Sequence, residues 1–331
     1  MMPGALDVLL MLAAVQGAEI RVAPDPDGRP VLGPAIEKAP EGAAIVLAPG
    51  VYRETVTIAK TVHVRGTAGV VLDPSEPLKV GWSPAPEIGP GVHRFESRKK
   101  PEALLLDGRI VAELDPRRAA AEGRWFWKTL LTNGPPLSRW SQIRALWIWL
   151  PSKKTAYVRV GGEDDPGGRN WAVVWTRDPI VTFRGATGAT LRDVALANGF
   201  VGAAITGGSK DCAVTGCVIG PYERAGIQVG GGSSGTRLEG NRVFRGSLED
   251  WTPDGGSRPN YEIWKIHKSV GYYDRPGISI VRAGAGTLVK GNHIVETFDG
   301  IILGDHRVES LDIPLASPDD GRGTEIRDNV I

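Results

Sequence analysis

Five short segments in the second half of the chain repeat one pattern. They are LRDVAL from Leu191, VTGCVI from Val214, LEGNRV from Leu238, VKGNHI from Val289 and IRDNVI from Ile326. Each runs aliphatic, polar, Gly or Asp, compact, variable, aliphatic. The spacings are 23, 24, 51 and 37 residues, the last two exceeding one period by a single loop insertion each. A period in this range marks stacked repeats, none of which can bury its apolar face alone.

A second motif lies between these segments: GAAI at Gly202, GIQV at Gly226, GISI at Gly277 and GIIL at Gly300. Each repeat therefore holds at least two short β-type runs separated by turns and no helix. That pattern suits a parallel β-helix, in which each coil lies about 4.8 Å above the last. The fourth position of the first motif reads Val194, Cys217, Asn241, Asn292, Asn329. Stacked Asn side chains can hydrogen-bond along such a column. With these features the chain resembles the right-handed parallel β-helix superfamily, the pectin-lyase-like proteins, in its secreted carbohydrate-active branch. The resemblance covers about 140 residues closely and the N-terminal part more loosely; it implies fold more than chemistry.

The 331 residues permit a large core. Lys plus Arg number 39 against 38 Asp plus Glu, with no basic run, which argues against nucleic acid as a partner. Forty-four Gly and 25 Pro favour a turn-rich β protein. Cys212 and Cys217 make no disulfide framework. Cys217 holds a ladder position and reads as a stacked buried thiol.

Residues 1–18 read as a leader: ALDVLLMLAAV is apolar, too short to span a membrane, and followed by QGA. No Lys or Arg precedes it and Asp7 interrupts it, so a buried N-terminal helix is the competing reading. The expected location is secreted, periplasmic or cell-surface, with no membrane span. Residues 19–74 form an N-terminal cap and the first coils. Pro34 fits the first turn of a short capping helix, and Val56, Ile58, Val62 and Val64 alternate as strand residues. Residues 75–176 break the coil pattern and hold eight of the ten tryptophans. They read as an inserted small antiparallel β subdomain with hairpins at Asp107-Gly108 and around Pro151–Thr155. Its tryptophans can stack on sugar rings, but most are expected to pack inside, with roughly one or two reaching a ligand. Residues 177–331 are the parallel coils. The chain ends in mid-coil without a polar cap, the expectation for a truncated stack.

The two loop insertions, about 247–273 and 305–322, flank one strand ladder, the first before GISI and the second after GIIL. Long loops on a rigid scaffold carry function. In carbohydrate-active β-helix proteins the cleft commonly lies on this sheet, and the resemblance implies the same here. Glycoside hydrolysis needs two carboxylates about 5–5.5 Å or 6.5–9.5 Å apart, near one and two coil steps. Asp299 and Asp305, flanking GIIL, are the first candidates, with Asp274 or Glu262 as partner. Asp before Gly is also an ordinary turn residue. Candidate substrate-binding residues are Arg275, Lys265, His267, His306, Arg307, Tyr272 and Trp251. A polysaccharide lyase would instead use a Lys or Arg base such as Lys265, Lys268 or Arg275. Calcium could then neutralise a uronate, with oxygens from Glu262 and Asp274. No ordered calcium loop or zinc spacing is present, and no cofactor is required. The Gly-rich runs at Val229 and Arg282 lack the Gly-Lys-Ser/Thr ending of a phosphate loop. The expected function is an exported carbohydrate-active enzyme acting on a polysaccharide or oligosaccharide. Glycoside hydrolase comes first and polysaccharide lyase second; the other class is a non-catalytic carbohydrate-binding or adhesive β-helix.

Overall fold

The third residue of the repeated motif turns one corner in each of five coils. Asp193, Gly216, Gly240, Gly291 and Asp328 all sit in the left-handed region, with φ between 56° and 64°. Only Gly, and Asp or Asn at modest cost, adopt that conformation readily, which is why the position reads Gly or Asp. The computed structural model describes residues 18–114, 145–160, 165–246, 275–297, 299–304 and 322–331.

The corners join three parallel sheets into one stack. The first has eight strands, Glu19–Val22, Ala43–Leu47, Val62–Gly66, Thr190–Arg192, Ala213–Thr215, Arg237–Glu239, Leu288–Lys290 and Glu325–Arg327. Its register runs Leu191 to Val214 to Leu238 to Val289 to Ile326, so the first motif is aligned residue for residue. A second sheet of six strands follows each corner, from Gly50–Tyr52 to His293–Val295. The third, also six-stranded, contains Val56–Ile58, Val181–Arg184, Gly199–Thr206, Tyr222–Gly230, Ile278–Val281 and Ile301–Leu303. Inward residues of all three, among them Val64, Leu191, Phe183, Ile205, Ile227 and Val289, form one continuous core. The stack is therefore a parallel β-helix, with the right-handed sense that twisted parallel crossovers take.

Two columns of repeated residues lock adjacent coils. Asn292 Oδ1 accepts from Asn241 N at 3.0 Å and from Asn241 Nδ2 at 2.9 Å. Asn329 Oδ1 does the same for Asn292 N and Nδ2, both at 2.9 Å. Asn241 in turn accepts from Cys217 N at 3.0 Å, so the thiol continues the column. The second column is Gly202, Gly226, Gly277 and Gly300, where the chain passes over a neighbouring aliphatic side chain. A Cβ on Gly226 would lie 2.3 Å from Val243 and 2.6 Å from the Gly277 carbonyl, which excludes any larger residue. Cys212 and Cys217 are both buried free thiols.

The N-terminal end is closed by a helix, Leu32–Lys38. The buried Glu54 carboxylate caps it, accepting from the amides of Val31, Leu32 and Gly33 at 2.8–2.9 Å. Among the described residues no helix is long and apolar enough to cross a membrane.

Strands between Glu76 and Val174 form a separate eight-stranded sheet. Both expected hairpins are present, Leu106 pairing with Arg109 and Leu150 with Thr155. The sheet is mixed rather than purely antiparallel, because Arg109–Glu113 pairs in parallel with Ala145–Leu150. The chain between those two strands is 31 residues long, enough for the crossover a parallel pair needs. The described tryptophans serve this sheet. Trp147 is fully buried and donates to the Val111 carbonyl at 3.1 Å. Trp171 donates to the Pro166 carbonyl at 2.9 Å. Trp82 packs against Phe95 and Trp171 at 5.2 and 5.1 Å between ring centroids.

Candidate functional site

The outward row of the third sheet runs Thr182, Ala204, Gln228, Ser279, Ile302 across successive strands. Every second residue of a strand faces this side, and the alternate ones (Phe183, Ile205, Ile227, Ile280) are spent on the core. The row forms the floor of a groove of about 520 Å³, within the size range of small-molecule sites. Thr206, Arg184, Arg224 and Arg282 also line it, with Pro179 and Pro276 at its margin. The described lining thus carries three guanidinium groups, several hydroxyl or amide groups, and no carboxylate. A guanidinium group is a planar donor that can match carboxylate oxygens.

One margin of the groove carries a β-bulge. Gly199 pairs with Tyr222 and Val201 with Ala225, so Glu223 and Arg224 together stand opposite the single residue Phe200. The extra residue accounts for the change in spacing from 23 to 24 between successive repeats. A bulge re-aims side chains and is frequent beside functional sites. Here Arg224 lines the groove while Glu223 is buried. Arg275 Nη2 reaches Glu223 at 2.6 Å and Arg245 Nη2 at 3.7 Å. Arg245 is fully buried and the Arg275 side chain is 8% exposed.

The inserted sheet docks against this same place. The Ile110 amide donates to the Gly246 carbonyl at 3.0 Å. At the end of that strand, Glu113 pairs with Lys100 at 2.7 Å. Burial raises the Glu113 carboxyl to about 7; Lys100 and Arg275 oppose the shift, and the Glu223 charge adds to it. Burial likewise raises the adjacent Tyr222 hydroxyl, against the Arg245 charge. Burial pushes the Cys217 thiol up to about 12, which leaves it protonated and inert at neutral pH.

Of the residues singled out from sequence, Asp299 and Arg275 are described. Asp299 is half-buried just before Ile301–Leu303, its carbonyl accepting from the Gly277 amide at 3.0 Å. Arg275 is turned onto Glu223, one residue before Pro276 of the groove margin. Asp305, Asp274, Glu262, Lys265, His267, His306, Arg307, Tyr272 and Trp251 lie outside the described residues. So do Glu262 and Asp274 as calcium ligands; among the described residues no group of three or more His, Cys, Asp or Glu is placed to hold a metal. Sequence reasoning missed Arg184, Arg224, Arg282, Glu113 and Glu223. For the bulge pair a signal existed, the one-residue lengthening of the repeat; for the others no local signal distinguishes them from solvated strand charges.

Fold and groove together define a parallel β-helix with an arginine-lined cleft on one sheet. No protein-family model matches the chain, and no curated protein does. Among solved structures, one described as the complex of XylC with xylose is similar at a TM-score of 0.46 and 12% identity. The similarity covers 86% of this chain and 64% of that one. The crystal structure of pectate lyase Pel9A is similar at a TM-score of 0.42 and 10% identity, covering 88% and 51%. This chain therefore spans between half and two thirds of the length of those two. The strand pairing itself, not this distant likeness, establishes the coil architecture.

Proposed function

We infer that the protein is an exported carbohydrate-active enzyme that takes an acidic polysaccharide along the groove of the third sheet. The carrying observation is the groove lining: Arg184, Arg224 and Arg282 beside Thr182, Gln228 and Ser279, with no carboxylate among the described lining residues. Hydroxyl and amide groups match sugar hydroxyls, and guanidinium groups match a uronate carboxylate bidentately. A neutral glycan offers no carboxylate for a guanidinium to match. An acidic one gains both affinity and faster encounter. The two solved relatives, one bound to xylose and one a pectate lyase by description, are compatible with a saccharide ligand.

The same lining favours β-elimination over hydrolysis as the reaction. Elimination next to a uronate needs its carboxylate neutralised, which a guanidinium does, and a base to remove the neighbouring proton. Hydrolysis needs two carboxylates at the scissile bond, and the described lining supplies none. Glycoside hydrolysis is the second reading. The observation for it is Asp299, placed at the head of the strand that ends the groove floor, with Asp305, Asp274 or Glu262 as its partner.

One assay separates these readings. Purified full chain is incubated with a panel of acidic and neutral polysaccharides while reducing ends and ultraviolet absorbance of unsaturated products are followed together. Elimination gives both signals on acidic polymers only; hydrolysis gives reducing ends without absorbance. Neither signal on any polymer removes the enzymatic reading and leaves a binding protein.

A further inference from the structure

The three groove arginines are not equivalent. Arg224 and Arg282 each have an interaction of their own within the protein. Arg184 is exposed, and among the described residues no hydrogen bond, ion pair or ring contact engages it. It also lies at one end of the site: its strand, Val181–Arg184, is the first of the five whose residues line the groove. Thr182 shares that strand and face, and Thr206 is the direct cross-strand neighbour of Arg184. A Cβ on Gly207 would lie 3.3 Å from Arg184 Cγ, so the arginine stem runs close over the backbone of the next coil. A long side chain laid down in this way keeps its charged head in water.

Beyond Arg184 the floor changes character. Across the next four strands the outward row reads Ala204, Gln228, Ser279 and Ile302. Gly230, Val281 and Gly304 lie beside that row. None of these residues carries a charge. A carboxylate lying on this floor loses hydration without gaining an opposite charge beneath it.

We propose that Arg184 is the residue that reads charge in the groove: it takes one carboxylate of an acidic saccharide at the first-strand end, and the sugar units beyond it bind through neutral contacts. The substrate class is then a polysaccharide that mixes acidic and uncharged units, rather than one charged at every unit. The proposal rests on the reading of the groove as an acidic-saccharide site.

Calorimetric titration of the full chain with one backbone at three charge densities tests both levels separately. The probes are polygalacturonate in unesterified, partly methyl-esterified and fully methyl-esterified form. Wild type is expected to bind the partly esterified polymer at least as tightly as the unesterified one. The fully esterified polymer should bind about tenfold to a hundredfold more weakly, the loss of one charge-assisted contact. Arg184→Gln should bind all three as weakly as wild type binds the fully esterified form, with thermal unfolding unchanged because the residue is exposed. Arg184→Lys, which keeps the charge without the planar fork, should recover part of the preference. A wild type that binds none of the three, or binds the fully esterified form as tightly as the others, overturns the reading of the groove and the proposal with it. Affinity that rises steadily with the number of free carboxylates leaves the acidic reading in place and overturns the proposal alone. A preference for charge that survives in Arg184→Gln does the same.

Discussion

The coil stack and the inserted sheet solve the same burial problem by different means. In the stack, many strands bury a single residue, such as Leu191, Val214, Leu238 and Val289, and depend on their neighbours above and below. Identical side chains recur in register, so polar groups are satisfied by like partners, as in Asn241–Asn292–Asn329. In the inserted sheet, partners are unlike, and three large aromatics, Trp147, Trp171 and Phe95, sit among aliphatics in the core. The stack is thus a sum of similar small contributions, whereas the insert concentrates its stability in a few side chains. On the stack's third sheet, the outward row lines a groove. The insert's described tryptophans are engaged in its own packing.

Substitutions can sharpen or break this contrast. The largest effect is expected for Trp147→Ala, which empties the middle of the insert and should destabilise it by about 3–5 kcal/mol. Near-ultraviolet circular dichroism should show the tryptophan signal melting well before the far-ultraviolet β signal; coincident loss of both would mean that stack and insert are one cooperative unit. Next is Asn292→Ala. It removes an acceptor from Asn241 N and Nδ2 and a donor from the Leu238 carbonyl. Leaving these groups buried without partners should cost the stack about 2–3 kcal/mol, read by denaturant unfolding.

Glu113→Gln tests the seam between the two regions. The folded carboxyl lies near 7, above the usual 4.5, so the folded state binds a proton that the unfolded state has released between those values. That contribution is fully present below about 4.5 and is lost as pH rises through 7. The amide should therefore leave stability unchanged at pH 4 and raise it by about 3 kcal/mol at pH 8. Equal effects at both pH values would show that the seam does not bury the group. The smallest effect is expected for Arg169→Ala, which removes an exposed pair with Asp107 at the tip of the insert's hairpin. Thermal unfolding should shift by no more than about 0.5 kcal/mol; a larger loss would mark that hairpin as more than a surface turn.

The contrast also explains what could be read from sequence. Leu191, Val214, Leu238, Val289 and Ile326 align in register because a stack repeats one local environment, and a repeated environment selects a repeated motif. Gly226 and Asn292 were legible for the same reason. The insert's hairpin at Asp107-Gly108 was visible through turn chemistry, but its parallel pair, Ala112 with Leu146, was not. Nothing local distinguishes a parallel from an antiparallel neighbour across a long crossover. Glu54 was missed as a helix cap because it lies 21–23 residues from the amides it serves. The groove arginines come from strands far apart in sequence, where each alone reads as a solvated charge. Asp299 and Asp305 were singled out because they flank GIIL; Asp305 lies outside the described residues, and the described groove lining is basic.

The claim on which the rest depends is that saccharide lies on the third sheet of the stack and not on the tryptophan-rich insert. Hydrogen–deuterium exchange of the full chain with and without an oligogalacturonate decides between these two regions. Slowed exchange across Gly199–Thr206, Tyr222–Gly230 and Ile278–Val281, abolished by Arg184→Ala, is the predicted result. Protection confined to the strands between Val92 and Val174, with the groove strands unchanged, would contradict it.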